Sequence, residues 1–371
     1  MSQPLSSIAL VGPLPPPSGG MANQTRQLAR LLGEAGVDVR IVRVNTPYRP
    51  GWIERVRGVR AVFRLIPYLV ALWRAAGRVQ VMHVFANSGW SWHLFAAPAV
   101  WIAYLRGTPV LINYRGGEAG EFFRHSFRWV LPTVRRASAV VVPSRFLEQV
   151  FAQWSIDTVI VPNIVDLSRF GPGAGAASGR PHVIVTRNLE PIYDIETALR
   201  VFHRLRRRYP GARLTVAGTG PELERLRALA EDLGIAEAVH FAGRMDNDDI
   251  PELYRSANLM LNTSRVDNMP ISILEALASG VPVVSSDAGG IPHLVDHEVH
   301  VLLAPPGDVD ALTEHATRLL DDGPLRQRLV EAGIRRAAEY GWDRVRGQWF
   351  AVYDAVRSRT ASPGREARDG K

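Results

Sequence analysis

The chain has 371 residues, 46% hydrophobic and 22% charged, with no cysteine. That suffices for two separate cores and excludes disordered and fibrous classes, disulfides and thiolate metal sites. The formal charge of +8 is uneven: residues 1–170 hold 19 Arg against 8 acidic residues, net +11, and the remainder is net −3; the first half is the one expected to face an anionic membrane, nucleic acid or phosphorylated substrate.

The opening MSQPLSSIALVG has no basic segment before its apolar stretch and does not read as a secretory signal. The run IALVG reads as a strand, and GPLPPPSGGMANQTRQLARLL follows it. There Gly19 and Gly20 stand immediately before a helix. Such a loop lets a ligand approach the backbone and offers free N–H groups to an anion, although a plain turn fits as well. The spacing is neither GxGxxG nor a Walker loop.

Residues 52–73 place Trp52, Val56, Val59, Phe63, Ile66, Val70 and Trp73 on one helical stripe, with Arg57, Arg60 and Arg64 off it. This is the pattern of an interfacial membrane helix, and ordinary core packing is the competing reading. Pro67 is expected to kink or divide it. The strand VQVMHVF ends near His83, which is expected to point toward the ligand end of its sheet or to pack. The longest apolar run free of charged residues and histidine, Leu94 to Leu105, has twelve residues, well short of the roughly 20 that a spanning helix needs. A soluble or membrane-surface protein is expected.

Further strands are VDVRIVRV, PVLINY, AVVVPS and TVIVPN, then HVIVTRN, RLTVAGTG, AVHFAG, LMLNTS and VPVVSS. Strands that are apolar throughout and alternate with helices imply parallel sheets covered on both faces. The expected architecture is α/β: two doubly wound Rossmann-like domains facing each other across a cleft. The domains are expected at 1–170 and 182–340. GPGAGAASGRP at 171–181 should form a flexible linker and hinge, residues 341–358 a helix crossing back to the first domain, and 359–371 a disordered tail.

Arg187 follows the strand HVIVT and is placed to reach a ligand or simply to be solvated. In SRVDNMPISILEALASG, Pro270 suits a first helical turn and Gly280 closes the helix. The N–H groups of Ile271 and Ser272 are then left for a cap or an anion. Asp267 precedes that helix N-terminus and Glu275 lies inside the helix, about two turns along from Asp267. A helix cap and a solvated glutamate are the bland alternative, but Glu275 sits in an apolar run where a carboxylate needs a partner. His293, His297 and His300 lack an HExxH pattern and read as surface histidines, so no metal is assigned.

Taken together, VPNIVDLSRF, AGTGPELERL, VHFAGRMDNDDIPELYRSANLMLNTS and DNMPISILEALASGVPVVSSDAGGIPHLV resemble the retaining glycosyltransferases of family 4, which have the GT-B architecture. The resemblance spans nearly the whole chain and is strongest from about Val183 to Pro306. It implies a sugar transfer from a UDP-, GDP- or ADP-sugar to a hydroxyl of a saccharide or lipid-linked acceptor, as in surface polysaccharide synthesis, without a cofactor. By that resemblance Asp267 faces the donor sugar, Glu275 the ribose, and Asn268, Met269, Pro270 and Ile271 the diphosphate. Arg187 and the Gly19–Gly20 loop join them on the diphosphate, and backbone near Arg244 and Met245 meets the base. The chain departs from the family at Asp267, where glutamate is usual, at Tyr193, where a second diphosphate cation is usual, and at Arg115, where histidine is common. Arg115 is the candidate for the missing charge. Arg115 and His83 join Arg187, Asp267 and Glu275 as candidate catalytic residues.

The resemblance favours front-face transfer, with the leaving diphosphate helping to accept the acceptor's proton. The absence of cysteine is compatible with a cytoplasmic location, and the charge and the stripe point to peripheral attachment at the inner face of the plasma membrane. A sugar-nucleotide epimerase of similar architecture and a non-catalytic basic binding protein are the alternatives; no clustered nucleic-acid motif is present, and no nucleic-acid partner is expected.

Overall fold

The structure, a computed structural model, describes residues 4–16, 19–47, 59–173, 180–246 and 248–360. Trp52 and Val56 of the stripe, Arg57 off it, the middle of the 171–181 linker, the tail from 361, and the side chains of Val59 and Arg60 lie outside the described residues. The chain divides into two compact units, one of residues 1–164 with 342–371 and one of Val165–Gly341.

The first unit is built on six parallel strands: β1 (Ser7–Gly12), β2 (Asp38–Arg43), β3 (Val81–Ala86), β4 (Val110–Tyr114), β5 (Ala139–Val142) and β6 (Val159–Ile160). Their order is β2-β1-β3-β4-β5-β6. Alternate residues serve opposite faces, as strand geometry requires. Ala9 and Val11 join one buried cluster while Ile8 and Leu10 join the other. On the first face lie α2 (Val59–Ala76), a π-helical turn at Trp92–Ala96, α3 (Ala97–Leu105), α4 (Ala119–Val134) and α5 (Arg145–Ala152). On the second lie α1 (Gly20–Glu34) and the final helix, α13 (Trp342–Thr360). Val345, Trp349, Val352, Tyr353 and Val356 form its buried stripe at helical spacing.

The second unit repeats the plan with β7 (His182–Thr186), β8 (Arg213–Ala217), β9 (Val239–Gly243), β10 (Leu259–Asn262), β11 (Val283–Ser286) and β12 (Leu302–Ala304), all parallel. The order is β12-β11-β10-β7-β8-β9. Helices α6 (Ile195–Arg208), α7 (Leu223–Asp232) and α11 (Val309–Asp321) cover one face. The short helices α8 (Ile250–Arg255), α9 (Ile271–Ala278) and α10 (Ile291–Leu294) cover the other, and α12 (Gly323–Ala338) contributes to both clusters.

Three expectations are corrected. The units divide between Ile164 and Val165, not at 170 or within 171–181. Val165 and Phe170 are buried in the second unit's core, and the Phe170 ring meets Tyr254 edge-on at 5.7 Å. Pro67 does not divide α2, which runs unbroken from Val59 to Ala76. Pro67 is exposed there, where water can serve the carbonyl that loses its N–H partner. A twelfth strand, β12, escaped notice because three residues are too few to show a period.

Candidate active site

In open parallel sheets a ligand binds beyond the carboxyl ends of the strands, where the strand order reverses. In the second unit that point lies between β7 and β10. Arg187 leaves the end of β7 and donates from Nε to Asn262 Oδ1, 3.0 Å away at the end of β10. Its terminal nitrogen pairs with the Asp267 carboxylate, and both side chains are largely buried, 13% and 11% exposed. The ring of Tyr193 lies 5.2 Å from the same guanidinium. Tyr193, at the position where the resemblance called for a second cation, therefore stacks on the first one.

Burial raises the pKa of Asp267; Arg187, the Asn268 N–H and the Ser264 hydroxyl oppose that rise. Asn262 is fully buried and gives its amide hydrogen to Ser285 Oγ at 2.9 Å, while Ser264 Oγ donates to Asn262 Oδ1 at 3.1 Å. This network fixes the acceptor to which Arg187 is tied.

Behind the pair, the DAGG loop packs against the backbone of Asp267 and Asn268. Gly290 N donates to Asp267 O at 2.8 Å. A Cβ at Gly290 would stand 1.8 Å from Asn268 O, and one at Gly289, whose φ is +56°, 2.2 Å from Asp267 O. Only glycine permits so close an approach. On the other side a Cβ at Gly218 would fall 1.9 Å from Arg187 O. The glycines of AGTG and DAGG thus hold the two partners of the ion pair in place.

Pro270 precedes α9 with extended backbone, and no side chain caps that helix. Glu275, half-buried on α9, accepts from the Tyr254 hydroxyl at 3.2 Å, and that phenol also meets Thr186 Oγ1 at 2.9 Å. Burial pushes the Glu275 pKa up to about 7, against the lowering effects of Tyr254, Arg169 and Arg187. Arg187, Asp267 and Glu275 therefore share one electrostatic environment around the start of α9.

In the first unit the strand order reverses between β1 and β3. Gly19 precedes α1 with extended backbone, no side chain caps that helix either, and added Cβ atoms at Gly19 and Gly20 would meet nothing within 4 Å. Arg115 follows β4, donates to Asn113 Oδ1 at 3.2 Å, pairs with the Asn163 amide oxygen, and lies over the Phe85 ring at 5.3 Å. Burial lowers its pKa to about 9, and no carboxylate pairs with it among the described residues.

His83 packs, the second of its two expected placements, and only its candidacy as a catalytic residue is corrected. It does not reach toward a ligand but is fully buried, stacked on Phe85 at 4.6 Å and tilted against Trp349 at 4.8 Å. Nδ1 meets Tyr353 Oη at 2.9 Å and Nε2 meets Asn113 Nδ2 at 2.8 Å. Both ring nitrogens are occupied, so His83 fastens α13 to the sheet.

His297 and His300 accept the backbone N–H groups of Leu303 and Asp296, at 2.9 and 3.1 Å, and so brace the loop before β12; His293 is exposed. Arg244 is exposed after β9, while Met245 packs against the core. The sequence reading missed Tyr254, Thr186, Asn262 and Ser264. Asn262 had a signal, a polar residue ending an apolar strand; Tyr254, within the helix pattern of DIPELYRSA, had none.

Residues 18–169 match the model for Glycosyltransferase Family 4 and residues 172–336 that for Glycosyl transferases group 1. The chain is 30% identical to the GDP-mannose-dependent alpha-(1-6)-phosphatidylinositol monomannoside mannosyltransferase of Mycobacterium tuberculosis, over 93% of this chain and 95% of that one. The protein belongs to glycosyltransferase family 4. Its fold is that of sucrose-phosphate synthase from Thermosynechococcus elongatus (TM-score 0.76, 20% identity, 95% of this chain and 100% of that one). It is also that of Anabaena HepE, solved in complex with UDP (TM-score 0.74, 17% identity, 94% and 100%). This family 4 member is a glycosyltransferase of the hexosyltransferase type acting on nucleotide sugars, and neither the epimerase nor the binding-protein alternative finds support.

Proposed function

We propose that this glycosyltransferase moves a hexose, with retention at the anomeric carbon, from a nucleoside-diphosphate sugar to a hydroxyl of a saccharide or lipid-linked acceptor in surface glycoconjugate synthesis. The observation that carries the donor reading is the Arg187–Asp267 pair beside the N-terminus of α9, with Glu275 inside the same helix. The free N–H groups of that helix and the Arg187 guanidinium stabilise charge growing on the departing diphosphate. Asp267 accepts from donor-sugar hydroxyls and Glu275 from ribose hydroxyls. As the glycosidic bond to the diphosphate breaks, the acceptor oxygen attacks from the same face, and its proton passes to the leaving phosphate oxygen. Gly19, Gly20 and Arg115 are the first unit's anion-binding elements in this reading; that no carboxylate among the described residues pairs with Arg115 supports that role.

The donor base is read by a thermal-shift panel of UDP, GDP, ADP and their sugar conjugates, repeated with Glu275→Ala. Similarity to a GDP-mannose-dependent enzyme makes GDP the first member to try. One base that stabilises the wild type and not the variant supports the assignment; no shift with any of them removes it. Retention is read from the anomeric configuration of the product by NMR.

Attachment to an anionic membrane surface belongs to the same reading. No described helix is long and apolar enough to cross a membrane. The described part of the α2 stripe faces outward instead of packing, with Phe63, Ile66, Val70 and Trp73 each between 44% and 57% exposed. Core burial on α2 falls to Tyr68, Leu72, Ala75 and Ala76. Flotation with anionic vesicles at physiological salt tests the attachment, and failure to float counts against it.

A further inference from the structure

Beside α2, the same helical layer carries an open groove of about 510 Å³ lined by Trp90, His93, Trp101, Trp129, Pro132 and Thr133. Its volume is that of a small-molecule site. Trp90 and Trp129 are 78% and 76% exposed, so two indole rings stand in water at its mouth. Two polar groups of the wall are paired with each other: Trp101 Nε1 donates to Thr133 Oγ1 at 3.0 Å. A saccharide would need several hydrogen-bond partners, and this wall of ring faces and proline offers few beyond His93 and the indole N–H groups. A hydrocarbon chain needs none.

The charge around the groove narrows the occupant. Residues 59–147 contain eleven arginines and only two carboxylates, Glu118 and Glu121. Arg136 is at the rim, its guanidinium 3.7 Å from the Trp101 ring centroid and its NH1 donating to Pro132 O at 2.6 Å. Its Nε is buried without a partner, and no carboxylate pairs with Arg136 among the described residues. Arg124 of the same unit pairs with Glu121, as Arg200, Arg204, Arg208 and Arg225 of the second unit pair with carboxylates. An apolar slot edged by an uncompensated cation suits an amphiphile with an anionic head.

We propose that the groove between α3 and α4 binds the hydrocarbon chain of a phosphate-bearing lipid, with the phosphate on Arg136. The proposal rests on the membrane-surface reading and extends it from a helix that lies on the bilayer to a site that takes one lipid chain. Trp90 and Trp129 grip the chain, Trp101 forms the floor, and Arg136 sets the depth.

The test uses the full-length protein and vesicles of phosphatidylcholine with phosphatidylglycerol whose chains carry bromine, a contact quencher of tryptophan. The Trp90→Ala/Trp129→Ala variant replaces two exposed rings and spares the core, and Arg136→Gln keeps bulk without charge. Co-sedimentation reads membrane binding, emission reads the groove, and the nucleotide thermal shift reads the donor site. The expected result is strong quenching of the wild type, loss of most of it in the double variant, and about fivefold weaker vesicle binding for Arg136→Gln. Co-sedimentation with equal quenching in wild type and double variant would overturn the groove while leaving surface attachment standing. Quenching that is as strong on brominated phosphatidylcholine alone would overturn the role of Arg136. Emission unmoved by lipid but shifted by a soluble oligosaccharide would replace the chain by a sugar and overturn the proposal. A missing nucleotide shift counts against the donor reading alone.

Discussion

Arg187 and Asp267 form a largely buried ion pair, held by Asn262 on one side and by the backbone of the DAGG loop on the other. Removing one member of such a pair leaves an uncompensated charge. Arg187→Ala is expected to lower stability by about 3 kcal/mol and to abolish the nucleotide-dependent thermal shift. Asp267→Asn, which keeps the shape and drops the charge, is expected to retain nucleotide binding and lose sugar transfer. Melting curves with and without nucleoside diphosphate, beside a transfer assay, separate the two effects.

Tyr193 stacks on Arg187 in place of a second cation. Tyr193→Phe keeps the ring and is expected to leave donor affinity unchanged. Tyr193→Ala removes the stack and is expected to weaken donor binding by about fivefold, the worth of roughly 1 kcal/mol. Tyr193→Lys is expected to tighten diphosphate binding on the order of tenfold, because a charge-assisted contact is added. Calorimetric titration of the three variants checks the order.

The Glu275 pKa is raised by burial from 4.5 to about 7. The fold therefore holds its proton more tightly than the unfolded chain does, and this group's contribution to stability falls as pH rises from 4.5 to about 7 and is flat above. Glu275→Gln is expected to remove that component from a series of denaturant midpoints. Because ribose hydroxyls bind the ionised carboxylate best, nucleotide affinity is expected to rise with pH through about 7, and to do so only in the wild type.

His83 anchors α13 through Tyr353, and its pKa lies well below 6.5 because burial, and then Arg115, disfavours the charged ring. Its folded pKa is depressed, so its contribution is present above pH 6.5 and is lost as pH falls toward the folded value. His83→Ala is expected to cost about 3 kcal/mol, Tyr353→Phe about 1 kcal/mol, and neither to change the pH profile of kcat. A shifted kcat profile for Tyr353→Phe would return His83 to the reaction.

Gly290→Ala would put a methyl group 1.8 Å from Asn268 O. The DNM loop must then move, so transfer activity is expected to fall by about two orders of magnitude with a smaller loss in melting temperature. The same substitution at Gly19, where a Cβ meets nothing within 4 Å, is the control for stability.

The two parallel sheets were legible in the sequence because a strand buried on both faces is a near-continuous apolar run, as IALVG is and as VQVMHVF and HVIVT are apart from isolated polar residues. The DNMPISILEALASG helix start was legible because proline, a carboxylate and a closing glycine have fixed places at helix ends. Residue type thus determined the fold class, the family and the stretch that carries Arg187, Asp267 and Glu275. Partners distant in the chain were decided by tertiary structure alone. Tyr254 reaches Glu275 only because α8 and α9 pack on the same face of the second sheet, and His83 turns inward only because α13 returns to cover β3. The outward-facing stripe of α2 shares its 3.6-residue period with a core helix, and only packing reveals which face is buried.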